Sequence, residues 1–216
     1  MNIQVRCQFQ YEDIPLEPEQ IEEFVLIKPV LFVLSAPSGA GKSTLIRRVR
    51  TILPDLFYSI SCTTRLPRKG EEEAVDYYFV DKRRFVEMIG NDGFLEWKEV
   101  HGAMYGTPVE PIRKELQNGR RCIMDIDVNG ALDVFQKIGE AIGIFIMPPD
   151  LGTLEQRLRQ RGSDTEESIR IRLQNAQKEL QFEAIFHYKI VNADLDSATT
   201  ELVEIIRRES EVPENV

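Results

Sequence analysis

A continuous apolar run at residues 30–35 (VLFVLS) passes into the turn APSGAGKS and then into an amphipathic helix, and no other feature of the chain constrains its fold as tightly. A run without a polar face has to be buried on both sides, as the inner strand of a parallel sheet is. Residues 44–53 then place Leu45, Ile46, Val49, Ile52 and Leu53 on one helical stripe, with Arg47, Arg48 and Arg50 mostly off it. Pro54 ends that helix. A glycine-rich turn between strand and helix aims main-chain N–H groups and the helix N-terminus at an anion.

The turn reads Ala36-Pro37-Ser38-Gly39-Ala40-Gly41-Lys42-Ser43, followed by Thr44. It follows the phosphate-loop pattern G-x-x-x-x-G-K-[ST] except at its first position, which is Ala36. A methyl group is tolerated there if the backbone stays in the β region. Gly39 and Gly41 permit the tight path and close approach of the backbone. Lys42 neutralises the β- and γ-phosphates, and the Ser43 hydroxyl completes a Mg²⁺ shell. The turn therefore predicts a nucleoside triphosphate as ligand, with Mg²⁺ as its cofactor.

Further short apolar runs occur at residues 57–61, 122–126, 142–147 and 188–191. Helical patterns at 109–117, 131–138, 151–161, 166–182 and 198–209 separate several of them. Strands alternating with helices predict an α/β fold with a parallel sheet covered on both faces. Residues 62–107 break this rhythm with YYFV, a short helix near 83–89 and FLEWKEV, and read as a small β-rich insertion. Residues 1–28 are acidic, contain Pro15 and Pro18, and read as an appendage to a catalytic domain over 29–216, with 21–27 a short helix or strand.

Composition narrows the ligands. Lys plus Arg number 27 against 36 Asp plus Glu, a net charge of -9. Such a chain is a poor general binder of nucleic acid or anionic membrane, so an anionic ligand must meet a local basic cluster. No apolar run approaches the ~20 residues of a membrane span. Cys7, Cys62 and Cys122 form no CxxC pair or Cys/His cluster, which argues against a zinc site and for thiols in a reducing cytoplasm. Nothing in the composition decides between a monomer and a homo-oligomer.

One basic cluster lies in SISCTTRLPRKGE, just after the strand at 57–61. Arg65 and Arg68, three apart in a loop stiffened by Pro67, suit a phosphate monoester. Tyr77 and Tyr105 offer phenolic hydroxyls beyond it.

With these pieces in order, the chain resembles the guanylate kinases, P-loop enzymes that move the γ-phosphoryl of ATP to GMP. The matching segments are SAPSGAGKST, SISCTTRLPRKGE, DYYFV, FLEW, MYGT, DIDVNGA, PPD, RLRQRG, IRIRL and IVNADLD, over about residues 31–208. The resemblance implies a P-loop NTPase-type core (29–61, 108–150 and 185–210), a GMP-binding insertion (62–107) and a helical lid (about 151–184). It implies that Arg65, Arg68, Tyr77 and Tyr105 hold the GMP phosphate, with Glu71 orienting the arginines. Ser61, Glu96, Thr107 and Asp127 would surround the guanine. The base chemistry agrees, because carboxylates accept from the N1–H and N2–H₂ of guanine while hydroxyls donate to O6. Thr107 stands where serine is also common, and Glu72-Glu73-Ala74 stands where a Gly or Asn turn is frequent.

Arg157 and Arg161 are spaced i,i+4 on one helix face, and Arg172 follows eleven residues later. Gly162-Ser163-Asp164 reads as a flexible joint between them, and Thr165 opens the next helix with a capping sequence. The resemblance places these three arginines in a lid over the ATP phosphates and counts them, with Lys42 and Arg65, as catalytic. It places Asp125 behind Mg²⁺ through water and Asn192 near the adenine. Two alternatives stand beside the enzyme. A guanylate-kinase-like interaction module would have a degraded phosphate loop, whereas this chain keeps Lys42, Ser43 and the arginines. A kinase for another nucleoside monophosphate would have no use for Glu96 paired with Asp127.

Overall fold

In a computed structural model of the chain, residues 27–160 and 165–212 are described. The first strand, β1 (Leu31–Ser35), is followed by α1 (Lys42–Ile52) and β2 (Phe57–Tyr58). The chain then forms β3 (Cys62–Thr63), β4 (Tyr78–Phe79), α2 (Lys82–Gly90), β5 (Phe94–Val100) and β6 (Ala103–Pro108). It continues as α3 (Val109–Gln117), β7 (Cys122–Asp125), α4 (Val128–Lys137), β8 (Ile142–Met147) and α5 (Leu151–Gln160). The last elements are α6 (Glu166–Leu180), a 3-10 turn (Glu183–Ile185), β9 (Tyr188–Val191) and α7 (Leu195–Ser210).

Five parallel strands make the main sheet, in the order β2-β7-β1-β8-β9. Alternate side chains of β1 enter two different cores, which is why the run has no polar face. Phe32 and Leu34 join Ile123, Ile144 and Ile190 against Leu45 and Val49 of α1 and Leu202 and Ile206 of α7. Leu31 and Val33 join Met124 and Phe145 against Ile112 of α3 and Ala131 and Val134 of α4. Each large side chain buried in this way contributes about 1.5–3 kcal/mol. No helix of the described residues is long and apolar enough to cross a membrane.

The second sheet, β4-β3-β6-β5, is built from residues 62–108 and so ends one residue beyond the break read in the sequence at 62–107. Its core of Cys62, Phe85, Phe94 and Met104 is small, with the Phe85 and Phe94 rings stacked at 4.4 Å. The β5–β6 hairpin turns through His101 (φ 50°) and Gly102 (φ 78°), the two positive angles that match the twist of the strands. From the far end of α4, Lys137 Nζ donates to the carbonyls of Leu95 (2.6 Å) and Phe94 (3.3 Å), tying this sheet to the main one.

The structure shortens the expected strand at 57–61 to two residues, because Cys62 and Thr63 leave to pair with β4 and β6. Helix α4 starts three residues before the expected position, since Asp127 caps it by accepting from Gly130 N at 2.9 Å. Ile27 bridges to Glu211, and Lys28 N donates to Ser210 O at 2.7 Å, so pairing starts just before residue 29. The rest of the segment 1–28, including most of 21–27, lies outside the described residues.

In the loop before β4, Ala74 has φ 60° and donates its N–H to Tyr77 O at 2.9 Å. The left-handed turn is thus kept with an alanine, whose Cβ makes that conformation unfavourable by about 1–2 kcal/mol. Ala74→Gly is expected to stabilise the protein by about 0.5–1 kcal/mol, raising Tm by about 1–4 °C. A thermal melt with unchanged or lower Tm would contradict the strain assigned to this residue.

Candidate active site

The parallel strands end on one side of the sheet, and that is where an open α/β sheet presents its ligand crevice. A cleft of about 690 Å³ opens there, bounded by the phosphate loop, the tip of β7 and the inner face of the second sheet. Loop residues Ala36, Pro37, Ser38, Gly39, Gly41, Lys42, Ser43 and Thr44 line one end. Ser61, Tyr77, Glu96, Lys98, Tyr105 and Asp127 line the other.

Gly41 sits at φ 96° as the N-cap of α1, so this position requires a glycine. A Cβ there would lie 2.3 Å from Asn192 Nδ2, and one on Gly39 would lie 2.9 Å from Leu154 Cδ1. Asn192 is 4% exposed and donates from Nδ2 to Ala40 O at 2.7 Å. It braces the loop from the end of β9. Ala36 keeps an ordinary φ and packs its methyl group on the core. Lys42 Nζ donates to Ile126 O at 3.0 Å and stands 3.9 Å from Asp125 Oδ2. Tyr58 donates to Asp125 Oδ1 at 3.2 Å, and burial, followed by the Asp125 charge, pushes the Tyr58 phenol up.

Among the described residues no group of three or more His, Cys, Asp or Glu could hold a metal ion. One hydroxyl (Ser43) and one carboxylate (Asp125) are instead the donor set that suits Mg²⁺ carried in on nucleotide phosphates and water.

At the other end, Glu96 is 6% exposed and its Oε1 accepts from Thr107 Oγ1 at 2.6 Å. Thr107 Oγ1 also lies 3.4 Å from Ser61 Oγ. Burial pushes the Glu96 carboxyl up, against the Thr107 hydrogen bond, and the Asp127 charge adds to the rise. Gly130 lets the start of α4 close over this carboxylate, because a Cβ there would come within 3.1 Å of Glu96 Oε2. Burial also works against the Asp127 carboxylate, but the Gly130 N–H and the Lys98 ammonium outweigh it and hold its pKa low.

The arginine loop is built around Glu71. Arg65 donates both terminal nitrogens to Glu71 at 2.9 Å, and Arg68 N donates to Glu71 Oε2 at 2.7 Å. The Arg65 bonds, then the Arg68 N–H, pull the Glu71 carboxyl down to about 2. Arg65 lies 5.5 Å from the Tyr77 ring, and Tyr77 stands edge-on to Tyr105 at 6.1 Å. Arg68 is exposed beside this group.

Helices α5 and α6 come down on the phosphate loop. Arg157 donates to Asn192 O at 2.8 Å, and Arg172 donates to Ser38 Oγ at 3.3 Å. Thr165 caps α6 by accepting from Ser168 N at 3.2 Å. Arg161 and the joint at 162–164 lie outside the described residues. Among the cleft residues that went unnoticed in the sequence are Tyr58, Lys98 and Glu179, and His101 also lines the cleft. Burial pushes the Glu179 carboxyl up, while Lys42, Lys98 and the Ser38 N–H favour its charge. Tyr58 reaches the cleft from β2 and Glu179 from α6, whereas Lys98 stands on β5 two residues after Glu96. His187, by contrast, is structural: its Nδ1 accepts from Gly143 N at 2.9 Å.

A phosphate loop at one end of a cleft and a carboxylate-and-hydroxyl pocket at the other define a P-loop protein with separate donor and acceptor sites. Comparison with known proteins makes the class specific. The family model described as guanylate kinase matches residues 28–209. A guanylate kinase of Carboxydothermus hydrogenoformans is 44% identical over 88% of this chain and 93% of its own length. One from Synechocystis is 45% identical over 85% and 96%. The crystal structure of guanylate kinase from Anaplasma phagocytophilum has a TM-score of 0.70 at 31% identity, covering 87% of this chain and 89% of that one. The chain belongs to the guanylate kinase family.

Lys42→Met removes the cation facing the phosphate end and leaves the loop backbone intact. We expect at least a hundredfold loss of ATP-dependent turnover with an unchanged circular dichroism spectrum. Full activity in that variant would show that the loop is not the donor site.

Proposed function

We infer that the protein transfers the γ-phosphoryl of ATP to GMP, giving ADP and GDP. Glu96 carries this reading: a buried carboxylate, anchored by Thr107 and facing the cleft beside Asp127, matches a base edge that offers hydrogens. Guanine offers N1–H and N2–H₂ there, whereas adenine offers an acceptor at N1. A site built for the first loses buried partners with the second, a discrimination of about 10⁴ or more.

The residues divide the work. Main-chain N–H groups of the loop after Pro37 and the Lys42 ammonium hold the ATP phosphates, and Asn192 fixes the loop that presents them. Ser43 would hold Mg²⁺ and Asp125 would support it; the ion would supply charge neutralisation when bound. Arg65 and Arg68, with the Tyr77 and Tyr105 hydroxyls, hold the GMP phosphate, and Glu71 keeps the Arg65 fork in plane. Ser61, Glu96, Thr107 and Asp127 read the guanine. Arg157, Arg161 and Arg172 bring positive charge over the transferring group. The acceptor is already an anionic phosphate oxygen, so positioning and charge suffice and no protein base has to take a proton. The insertion and the lid close on the core when both nucleotides bind, excluding the water that would hydrolyse ATP. Cys62 and Cys122 are free and buried, which suits a reducing compartment such as the cytosol.

Glu96→Gln replaces one acceptor oxygen with a donor. We expect KM for GMP to rise about a hundredfold with KM for ATP little changed. The pH dependence follows from the upward shift of Glu96. Its ionised form is the acceptor, so GMP use should fall as pH drops toward a value above the ordinary 4.5. That part of the acid limb should vanish in Glu96→Gln, whereas titration of GMP itself is common to both enzymes. Equal losses for the two nucleotides would contradict the guanine-reading role.

A further inference from the structure

The base end of the cleft places two carboxylates, Glu96 and Asp127, where like charges oppose each other. A third, Glu179, reaches in from α6. Two ionised carboxylates in a partly buried pocket are mutually unfavourable unless a cation stands between them. Among the described residues that line the cleft, the lysines are Lys42 and Lys98. Lys42 is committed to the Ile126 carbonyl and to Asp125 at the phosphate end. Lys137, the nearby cation of α4, is committed to the Phe94 and Leu95 carbonyls.

Lys98 remains. It is two residues after Glu96 on β5 and so shares its sheet face, while exposed Trp97 points the other way. Its Nζ forms an ion pair with Asp127 Oδ2, and the other Asp127 oxygen accepts from Gly130 N at 2.9 Å. The surroundings of Glu96 are Lys98 on its own strand, Thr107 on β6, and Asp127 and Asp133 at and within α4. Lys98 is the one favourable charge in that set.

We propose that Lys98 is a positioning residue of the acceptor site: its ammonium fixes Asp127 and balances the two carboxylates that meet the guanine edge. The proposal rests on the GMP reading above. With the ammonium in place both carboxylates accept hydrogen bonds from one base. Without it, Asp127 keeps only its cap bond from Gly130 N and Glu96 holds a proton more readily, which turns an acceptor into a donor. Lys98 is 41% exposed in its side chain, so its replacement leaves the core intact.

Lys98→Met keeps the apolar stem and removes the charge, and Lys98→Arg keeps the charge. Initial rates with GMP or ATP varied, between about pH 5 and 9, test the assignment. Lys98→Met is expected to raise KM for GMP about tenfold, with KM for ATP within about twofold of wild type. The acid limb of kcat/KM for GMP should move to higher pH, and Lys98→Arg should restore most of both. Unchanged GMP kinetics in Lys98→Met would overturn the proposal. So would equal changes for the two nucleotides, which mark a merely structural residue, or tighter GMP binding, which marks a competitor for Asp127. A wild-type protein inactive with GMP would overturn the functional reading itself, whereas an active wild type with an indifferent Lys98 overturns only this inference.

Discussion

The closure of the phosphate loop on Asn192 is the contact on which the site depends. Gly41 can turn at φ 96° only because it has no side chain, and Asn192 occupies the space a Cβ would need. The same amide holds the Ala40 carbonyl, and the Asn192 carbonyl accepts from Arg157. One residue at the end of β9 therefore links the loop after β1 to α5. Gly39 adds a second link, since Leu154 and Leu158 of α5 pack where its side chain would be. Through these contacts α5 and β9 together set the shape of the loop.

The two ends of the cleft use opposite electrostatics. In the proposed assignment the phosphate end offers N–H groups and Lys42 to an anion. The base end presents carboxylates to a neutral edge rich in N–H. Lys98 lets that second arrangement exist, and Glu71 does the complementary work for Arg65 by holding its guanidinium with two bonds. An acidic chain, net -9, can thus bind two highly anionic ligands because its positive charge is local and its acidic groups are paired.

Much of this was legible in the sequence for reasons that are local. The VLFVLS run announced a strand buried on both faces, and Gly39, Gly41, Lys42 and Ser43 announced the loop, because a short motif fixes its own backbone. The insertion was visible as a break in the alternation of strand and helix. Glu96 and Asp127 emerged from the family resemblance and not from any spacing. Three things were not legible. The strand at 57–61 ends after Tyr58 because of partners in β4 and β6 that no local pattern predicts. Lys98 reads as an ordinary exposed lysine until Asp127, 29 residues away, is seen against it. Ala74 stands where a Gly or Asn turn is frequent, and only the structure shows that the alanine keeps the positive φ of such a turn.

The central claim is that the base end selects guanine. A coupled assay of ADP release, with ATP as donor and GMP, AMP, CMP and UMP offered separately, tests it without any variant. The account predicts that GMP is used with a kcat/KM at least about a thousandfold above each of the others. Comparable use of AMP, or of a pyrimidine nucleotide, would contradict it.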